Sequence, residues 1–216
     1  MKNILICFDR DGTLNFDKKC HLGKQKNWKS RVVILPDVIK GLKELRKNIP
    51  YAKIYIITNQ PGVAVKDFPL LTKKRVDEVC KYILNKINKN KVGIDGYRFC
   101  GKADLNYAKR HPELKFDKKL VGNYPCVKPN PGMVYDILKE LKWKAKDTKI
   151  YVIGDRHSDV KTAINAGGFG IFVPFVARPE EIEKFKKEKI NKKKYYISKN
   201  FMDCINFLIK KEVGKK

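Results

Sequence analysis

Short apolar runs rich in β-branched residues recur along the chain at Ile4–Phe8, Ile54–Thr58, Ile150–Ile153 and Gly170–Val173, each ending at polar or Gly/Pro positions. These runs predict buried strands. Between them the apolar positions switch to helical spacing. Val38, Leu42 and Leu45 share a face, as do Val76, Val79, Cys80, Ile83 and Ile87, and again Val134, Ile137, Leu138 and Leu141. Strands alternating with helices imply an α/β fold with a doubly wound, Rossmann-like parallel sheet. Pro36-Asp37 and Asn130-Pro131 read as helix starts, with a capping side chain or a proline suited to the first turn. In such sheets the ligand crevice lies at the carboxyl ends of the strands, so the chemical residues are expected just after each run.

Between Phe99 and Pro129 the pattern breaks into a long polar loop containing Cys and His, and a loop of that length usually has a function or a staple. After Pro179 the chain turns strongly basic, with seven lysines against one glutamate between Lys184 and Lys194. A short periodic segment with Phe201, Ile205, Leu208 and Ile209 follows, which predicts a C-terminal helix. The expected organisation is a core at 1–178, with its long loop at 100–129, and a basic extension at 179–216 packing on that core.

The 216 residues are 43% hydrophobic and 33% charged, which suits one folded domain and excludes wholesale disorder. Lys and Arg number 49 against 23 Asp and Glu, a net charge of +26 that keeps nucleic acid in view as a partner. No apolar stretch approaches the roughly 20 residues of a membrane span, and no signal peptide is visible, so a cytoplasmic location without membrane contact is expected. The six cysteines are scattered, and in a reducing compartment they are expected to remain thiols. No exposed heptad or long apolar patch argues for assembly, and a monomer is expected.

The first strand ends in Phe8-Asp9-Arg10-Asp11-Gly12-Thr13-Leu14-Asn15. In an extended segment Asp9 and Asp11 share one side while Arg10 points away. Two close carboxylates need a cation or a shared proton between them, so a hard divalent ion such as Mg²⁺, or an acid beside an ionised nucleophile, both fit. The second strand ends at Thr58-Asn59-Gln60-Pro61-Gly62, whose hydroxyl and amides can donate to phosphate oxygens. Lys128 lies in Cys126-Val127-Lys128-Pro129-Asn130-Pro131-Gly132-Met133, just before a helix, and Gly154-Asp155-Arg156-His157-Ser158-Asp159 places another carboxylate at a strand tip. Asp159, at helical spacing from Asp155, either bonds Lys128 or a metal-bound water or caps its own helix.

With these four motifs in this order, the sequence resembles the haloacid dehalogenase-like (HAD) phosphotransferase superfamily from about Ile4 to Phe175. The wording looks most like its histidinol-phosphate and heptose-bisphosphate phosphatase subfamily, whose members have essentially no cap domain. The resemblance implies a Mg²⁺-dependent phosphomonoester hydrolase of carbohydrate or related metabolism, working through an aspartyl-phosphate. It makes Asp9 the nucleophile, Asp11 the acid/base, Thr58 a phosphoryl-oxygen ligand and Lys128 the charge balance. Asp9, the Asp11 carbonyl and Asp155 would hold the metal. Asp17, Cys20, Asn59, Gln60, Val127 and Arg156 would lie near a small phosphorylated substrate such as a sugar bisphosphate or histidinol phosphate.

The departures are informative. The subfamily's zinc loop, Cys-x-His then Cys-x-Cys, reads here Cys100, Lys102, Tyr124 and Cys126, and a structural zinc ordinarily takes four protein donors. With His111 unplaced, zinc is not expected, and the loop is expected to be held by packing around Tyr97, Tyr107, Phe116 and Tyr124. Val127 stands where the heptose enzymes commonly have arginine, and Val65-Lys66 replaces their usual Arg-Gly. His21 and Trp28, in a lengthened loop after the first motif, either line the pocket or close the loop over the core. The phosphatase half of polynucleotide kinase/phosphatase shares the first three motifs, so a nucleic-acid 3′-phosphatase, with Trp28, Tyr195 and Tyr196 stacking bases, stands as the alternative. An inactive phosphate-binding module is the third reading, disfavoured because Asp9, Asp11, Thr58, Lys128 and Asp155 are all present.

Overall fold

The apolar runs assemble into one six-stranded parallel sheet. The computed structural model describes residues 3–17, 21–175, 178–188 and 190–214. Its strands are β1 (Asn3–Phe8), β2 (Lys53–Asn59), β3 (Gly96–Cys100), β4 (Thr148–Gly154), β5 (Phe169–Phe172) and β6 (Tyr195–Ile197). The helices are α1 (Val38–Asn48), α2 (Lys73–Asn88), α3 (Leu105–Arg110), α4 (Gly132–Glu140), α5 (His157–Asn165), α6 (Glu180–Lys187) and α7 (Phe201–Val213). The strand order is β3-β2-β1-β4-β5-β6, and every pair is parallel. β1 is therefore central, flanked by the two strands that carry the next motifs.

Alternation along the central strands divides the core between the two faces of the sheet. Ile4, Ile6 and Phe8 of β1, with Ile54 and Ile56 of β2 and Tyr151 and Ile153 of β4, pack under α1, α2 and α7. Leu5 and Cys7, with Tyr55 and Ile57 and with Ile150 and Val152, face α4 and the end of α5. Both faces are covered, as an all-parallel sheet requires.

The C-terminal segment is built into the sheet. β6 pairs with β5 from Gly170↔Tyr195 to Phe172↔Ile197, and α7 lies so close to α1 that a Cβ at Gly41 would sit 2.9 Å from the Phe201 ring. Residues 179–216 thus supply an edge strand and a helix of the main core as well as basic surface. The connections after β1 (9–37) and after β3 (101–131) hold turns and, in the second, the short helix α3, with no inserted domain among the described residues. The expected cap at Asp37 is not formed: it occupies the helix-start position at φ 63° and its side chain makes no capping bond. The Asn130 side chain likewise turns away from α4, donating to Asn123 Oδ1 and Tyr124 O, both at 2.9 Å.

Candidate active site

Three strand ends converge. Asp9 follows β1, Thr58 and Asn59 close β2, and Asp155 follows β4, while Lys128 arrives from the loop before α4. The Lys128 ammonium is buried between two carboxylates, with Nζ 2.5 Å from Asp9 Oδ1 and 2.5 Å from Asp159 Oδ1, and it also donates to the Ile57 carbonyl at 3.3 Å. Burial alone would push this ammonium down, but Asp159 and Asp9 outweigh it and hold the group above its ordinary value. Asp159 serves both of its expected roles, since its Oδ2 accepts from the Arg156 N–H at 3.0 Å while Oδ1 holds Lys128.

Asn59 fixes the backbone that carries Lys128. Its Oδ1 accepts from Lys128 N–H at 3.0 Å and its Nδ2 donates to Lys128 O at 3.2 Å. Gln60 is turned inward as well: Nε2 donates to Asp11 Oδ2 at 2.8 Å and to Thr58 Oγ1 at 3.0 Å. These two amides, expected beside the substrate, are engaged in orienting Lys128 and Asp11.

Arg10 departs from the expected geometry. β1 ends at Phe8, so strand alternation no longer governs residues 9–11, and the chain turns so that Leu14 N–H and Asn15 N–H both donate to Arg10 O. The fully buried guanidinium folds back onto its neighbour in a two-point pair, Nε to Asp11 Oδ1 at 2.8 Å and Nη2 to Asp11 Oδ2 at 2.6 Å. Burial would raise the Asp11 carboxyl, but the Arg10 charge, with hydrogen bonds from Arg10, Gln60 and Asn15, holds it below the usual carboxylate range. Asp11 is thus kept ionised. Gly12, at φ 95°, makes the turn, and a Cβ there would collide with Asp155 and Arg178.

A cluster of hard donors remains at the centre. One carboxylate oxygen from each of Asp9, Asp155 and Asp159 lies within 4.8 Å of the others. Asp155 Oδ1 is buried without a hydrogen-bond partner. Burial and the Asp9 charge push Asp155 up to about 7 against the pull of Arg178, and burial pushes Asp159 up to about 6 despite Lys128. Carboxylates this crowded, with one oxygen unsatisfied, fit a hard divalent cation. The Asp11 carboxylate is not part of this group; only its backbone carbonyl faces Asp155, through Arg178.

The cluster opens into a cleft of about 850 Å³, lined on its basic side by Lys102, Arg110, Lys128, Arg156 and Lys184. Val127 and Arg156 both reach its wall. The Asp17 carboxylate instead accepts from Leu22 N–H at 3.1 Å, closing the turn after the first motif. Cys20 lies outside the described residues. His21 lines the cleft, whereas Trp28 is buried in the core. Tyr195 stacks on Phe185 and Tyr196 on Phe207, so the three aromatic residues considered for base stacking are all packed against other side chains.

Cys100 and Cys126 are joined as a disulfide with Cα atoms 5.5 Å apart, which corrects the expectation of thiols for these two; Cys7, Cys80 and Cys204 are free and buried. The reason is the sheet. β3 delivers Cys100 beside β2, and the loop returning to Lys128 must pass that point. Tyr107 meets Phe116 edge-on at 6.0 Å in the same loop, as expected, while His111 pairs with Glu113 at 3.1 Å.

Residues 125–201 match the HAD-hydrolase-like family. Over 182 residues the chain is 31% identical to the D-glycero-β-D-manno-heptose-1,7-bisphosphate 7-phosphatase of Rhodopseudomonas palustris, covering 83% of this chain and 86% of the relative. The chain belongs to the HAD-like phosphatases, in the family of the heptose-bisphosphate enzymes. The phosphatase of the same name from Haemophilus influenzae is 30% identical over 164 residues, 76% of this chain and 77% of its own. In structure, this HAD-like phosphatase superposes with a TM-score of 0.71 on the D,D-heptose 1,7-bisphosphate phosphatase of B. bronchiseptica complexed with magnesium and phosphate, at 17% identity and covering 98% and 99% of the two chains. A HAD-like phosphatase from Mesorhizobium loti gives 0.62 at 21% identity, over 80% and 73%. These superpositions show a shared fold. Among the described residues no helix is long and apolar enough to cross a membrane.

Proposed function

We propose that this HAD-like phosphatase hydrolyses one phosphomonoester of a small sugar bisphosphate, through a phosphoryl group carried on Asp9. The observation that carries the reading is the Lys128 ammonium held between Asp9 and Asp159 at the tips of three parallel strands. An Asp9 oxygen attacks phosphorus, and the bond to the leaving alcohol breaks as the new P–O bond forms. The alkoxide takes a proton from Asp11, which in the first turnover takes that proton up from solvent because the Arg10 pair holds the resting carboxyl ionised. Water then attacks phosphorus, Asp11 accepting its proton; the bond between Asp9 and phosphorus breaks, freeing the Asp9 carboxylate, and inorganic phosphate leaves.

The resting arrangement favours the second half of this cycle, because the Arg10 pair holds Asp11 as the carboxylate that accepts a proton from water. Lys128 supplies a fixed positive charge beside the nucleophile, where a negative transition state develops. Asp9, Asp155 and the Asp11 carbonyl would hold Mg²⁺, whose charge would offset that of the phosphoryl oxygens. Thr58, buried and lining the cleft, would offer its hydroxyl to a phosphoryl oxygen.

Two features support a doubly phosphorylated sugar. The relatives are named for one, and the cleft brings Lys102, Arg110 and Arg156 to its wall, giving cations beyond Lys128 for a second anionic group. Val127 is 4% exposed and apolar, so any distal phosphate is gripped from α3 or from the start of α5.

The test is phosphate release from heptose 1,7-bisphosphate, histidinol phosphate, sugar monophosphates and a 3′-phosphorylated oligonucleotide, each with Mg²⁺ at two salt concentrations. Highest kcat/KM on a sugar bisphosphate supports the reading. Fastest turnover on the oligonucleotide, falling steeply with salt, overturns it.

A further inference from the structure

Arg178 lies beyond the four motifs, yet its side chain ends at the centre of the site. The Nη1 group donates to Asp11 O at 3.1 Å and also to Asp155 Oδ2, while Nη2 donates to Asp17 O at 2.9 Å. Its guanidinium carbon sits 5.1 Å from the Phe175 ring centre, so the arm is laid along an aromatic face. Arg178 is 6% exposed. Asp11 O and Asp155 are two of the three groups assigned above to the divalent cation.

We infer that Arg178 is an internal competitor for the metal, occupying the cation position in the metal-free enzyme and leaving it when Mg²⁺ binds. This rests on the metal reading proposed above. Charge balance supports the exchange. With Asp9, Asp155 and Asp159 ionised, Lys128 leaves two negative charges uncompensated. Arg178 offsets one of them, and a divalent ion offsets both. Arginine and ion together would overfill the site with positive charge, and a guanidinium on Asp155 Oδ2 blocks one of that carboxylate's two oxygens from a metal. The turn leaves no slack either, since the space beside Gly12 is already filled by Arg178 and Asp155.

Three of the acceptors released on exchange find other partners. Asp155 and the Asp11 carbonyl pass to the metal, and the Asp17 carbonyl lies in a half-buried stretch within reach of water. The backbone that bears Arg178 need not move far. Phe185 of α6 stays packed on Phe172, with rings 4.9 Å apart, and Glu181 holds the His157 N–H at 2.9 Å.

The test is equilibrium Mg²⁺ binding by titration calorimetry to the full chain and to the Arg178→Gln, Arg178→Lys and Asp155→Asn variants, with melting temperatures measured with and without the ion. Arg178→Gln is expected to bind Mg²⁺ at least tenfold more tightly than the native chain, to melt lower without metal and to gain more from it. Arg178→Lys, which keeps the charge but has one nitrogen where Arg178 uses two and so gives up Asp17 O, is expected to fall between. If the Arg178 variants fold only when Mg²⁺ is present, that also supports the exchange, because the ion then supplies what the arginine supplied. Equal affinities in native and Arg178→Gln chains, with binding lost in Asp155→Asn, overturn the competition while leaving the metal site standing. Absence of Mg²⁺ binding in every chain overturns the metal reading itself. Failure of the Arg178 variants to fold even with Mg²⁺ assigns the residue to structure and also overturns the inference.

Discussion

Lys128 and Asp9, 119 positions apart in sequence, meet at 2.5 Å, both side chains almost fully buried at the inner end of the cleft. The contact exists because β1 ends at the sheet centre and because Asn59 clamps the Lys128 backbone from the end of β2. Replacing Lys128 by Met removes the ammonium paired with Asp9 and leaves that carboxylate beside Asp159. The expected loss is ~10²–10³-fold in kcat, the scale seen when one preorganised charge is removed. Breaking a buried pair on one side also costs about 3–5 kcal/mol of stability. Steady-state kinetics and urea denaturation of Lys128→Met check both, with Mg²⁺ expected to restore part of the stability.

The disulfide between Cys100 and Cys126 closes a loop with a sequence separation of 26 just upstream of Lys128. A loop of that length implies roughly 3.5 kcal/mol of stabilisation through the unfolded chain. Reduction, or Cys126→Ser, is therefore expected to lower the melting temperature measurably, and to reduce kcat by loosening the approach to Lys128. Melting curves and phosphate release with and without reductant check this.

His21 carries a pH dependence of its own. Burial, aided by the Lys24 charge, pushes its imidazole down to about 4, and the ring packs against Phe68 at 4.7 Å. A folded-state value below the unfolded one means that folding favours the neutral ring. That contribution is complete above the ordinary histidine value of ~6.5 and is lost as pH falls from there towards 4. Between pH 7.5 and 4.5 the native chain is expected to lose about 2 kcal/mol more than His21→Gln. Urea denaturation of the two proteins at both pH values measures the difference.

Much of the site was legible in the sequence because strand ends concentrate chemistry. Asp9, Thr58, Lys128 and Asp155 each follow an apolar run or precede a helix, and the structure brings them together. The central strands announced themselves through continuous β-branched runs. The edge strands did not: Gly96–Cys100 is mostly half-buried and interrupted by Arg98, and Tyr195–Ile197 spans three residues inside a lysine-rich stretch. Arg10 escaped because alternation was extended past the end of β1, where hydrogen bonds to its carbonyl turn the chain. Arg178 had no local signal at all. Its role depends on an approach to Asp11 and Asp155 across 167 and 23 positions, and only the tertiary fold brings these residues together. The pairing of Cys100 with Cys126 was hidden in the same way, since it follows from β3 lying beside β2.

Transfer of the phosphoryl group to Asp9 is the step on which the proposed reaction depends. It is tested most directly by comparing Mg²⁺-dependent phosphate release by the native chain and by Asp9→Asn, with circular dichroism showing that the variant is folded. Loss of turnover to background is expected in Asp9→Asn, together with a phosphate adduct on Asp9 in native protein quenched in acid and mapped by mass spectrometry. Turnover by folded Asp9→Asn at the native rate would contradict it.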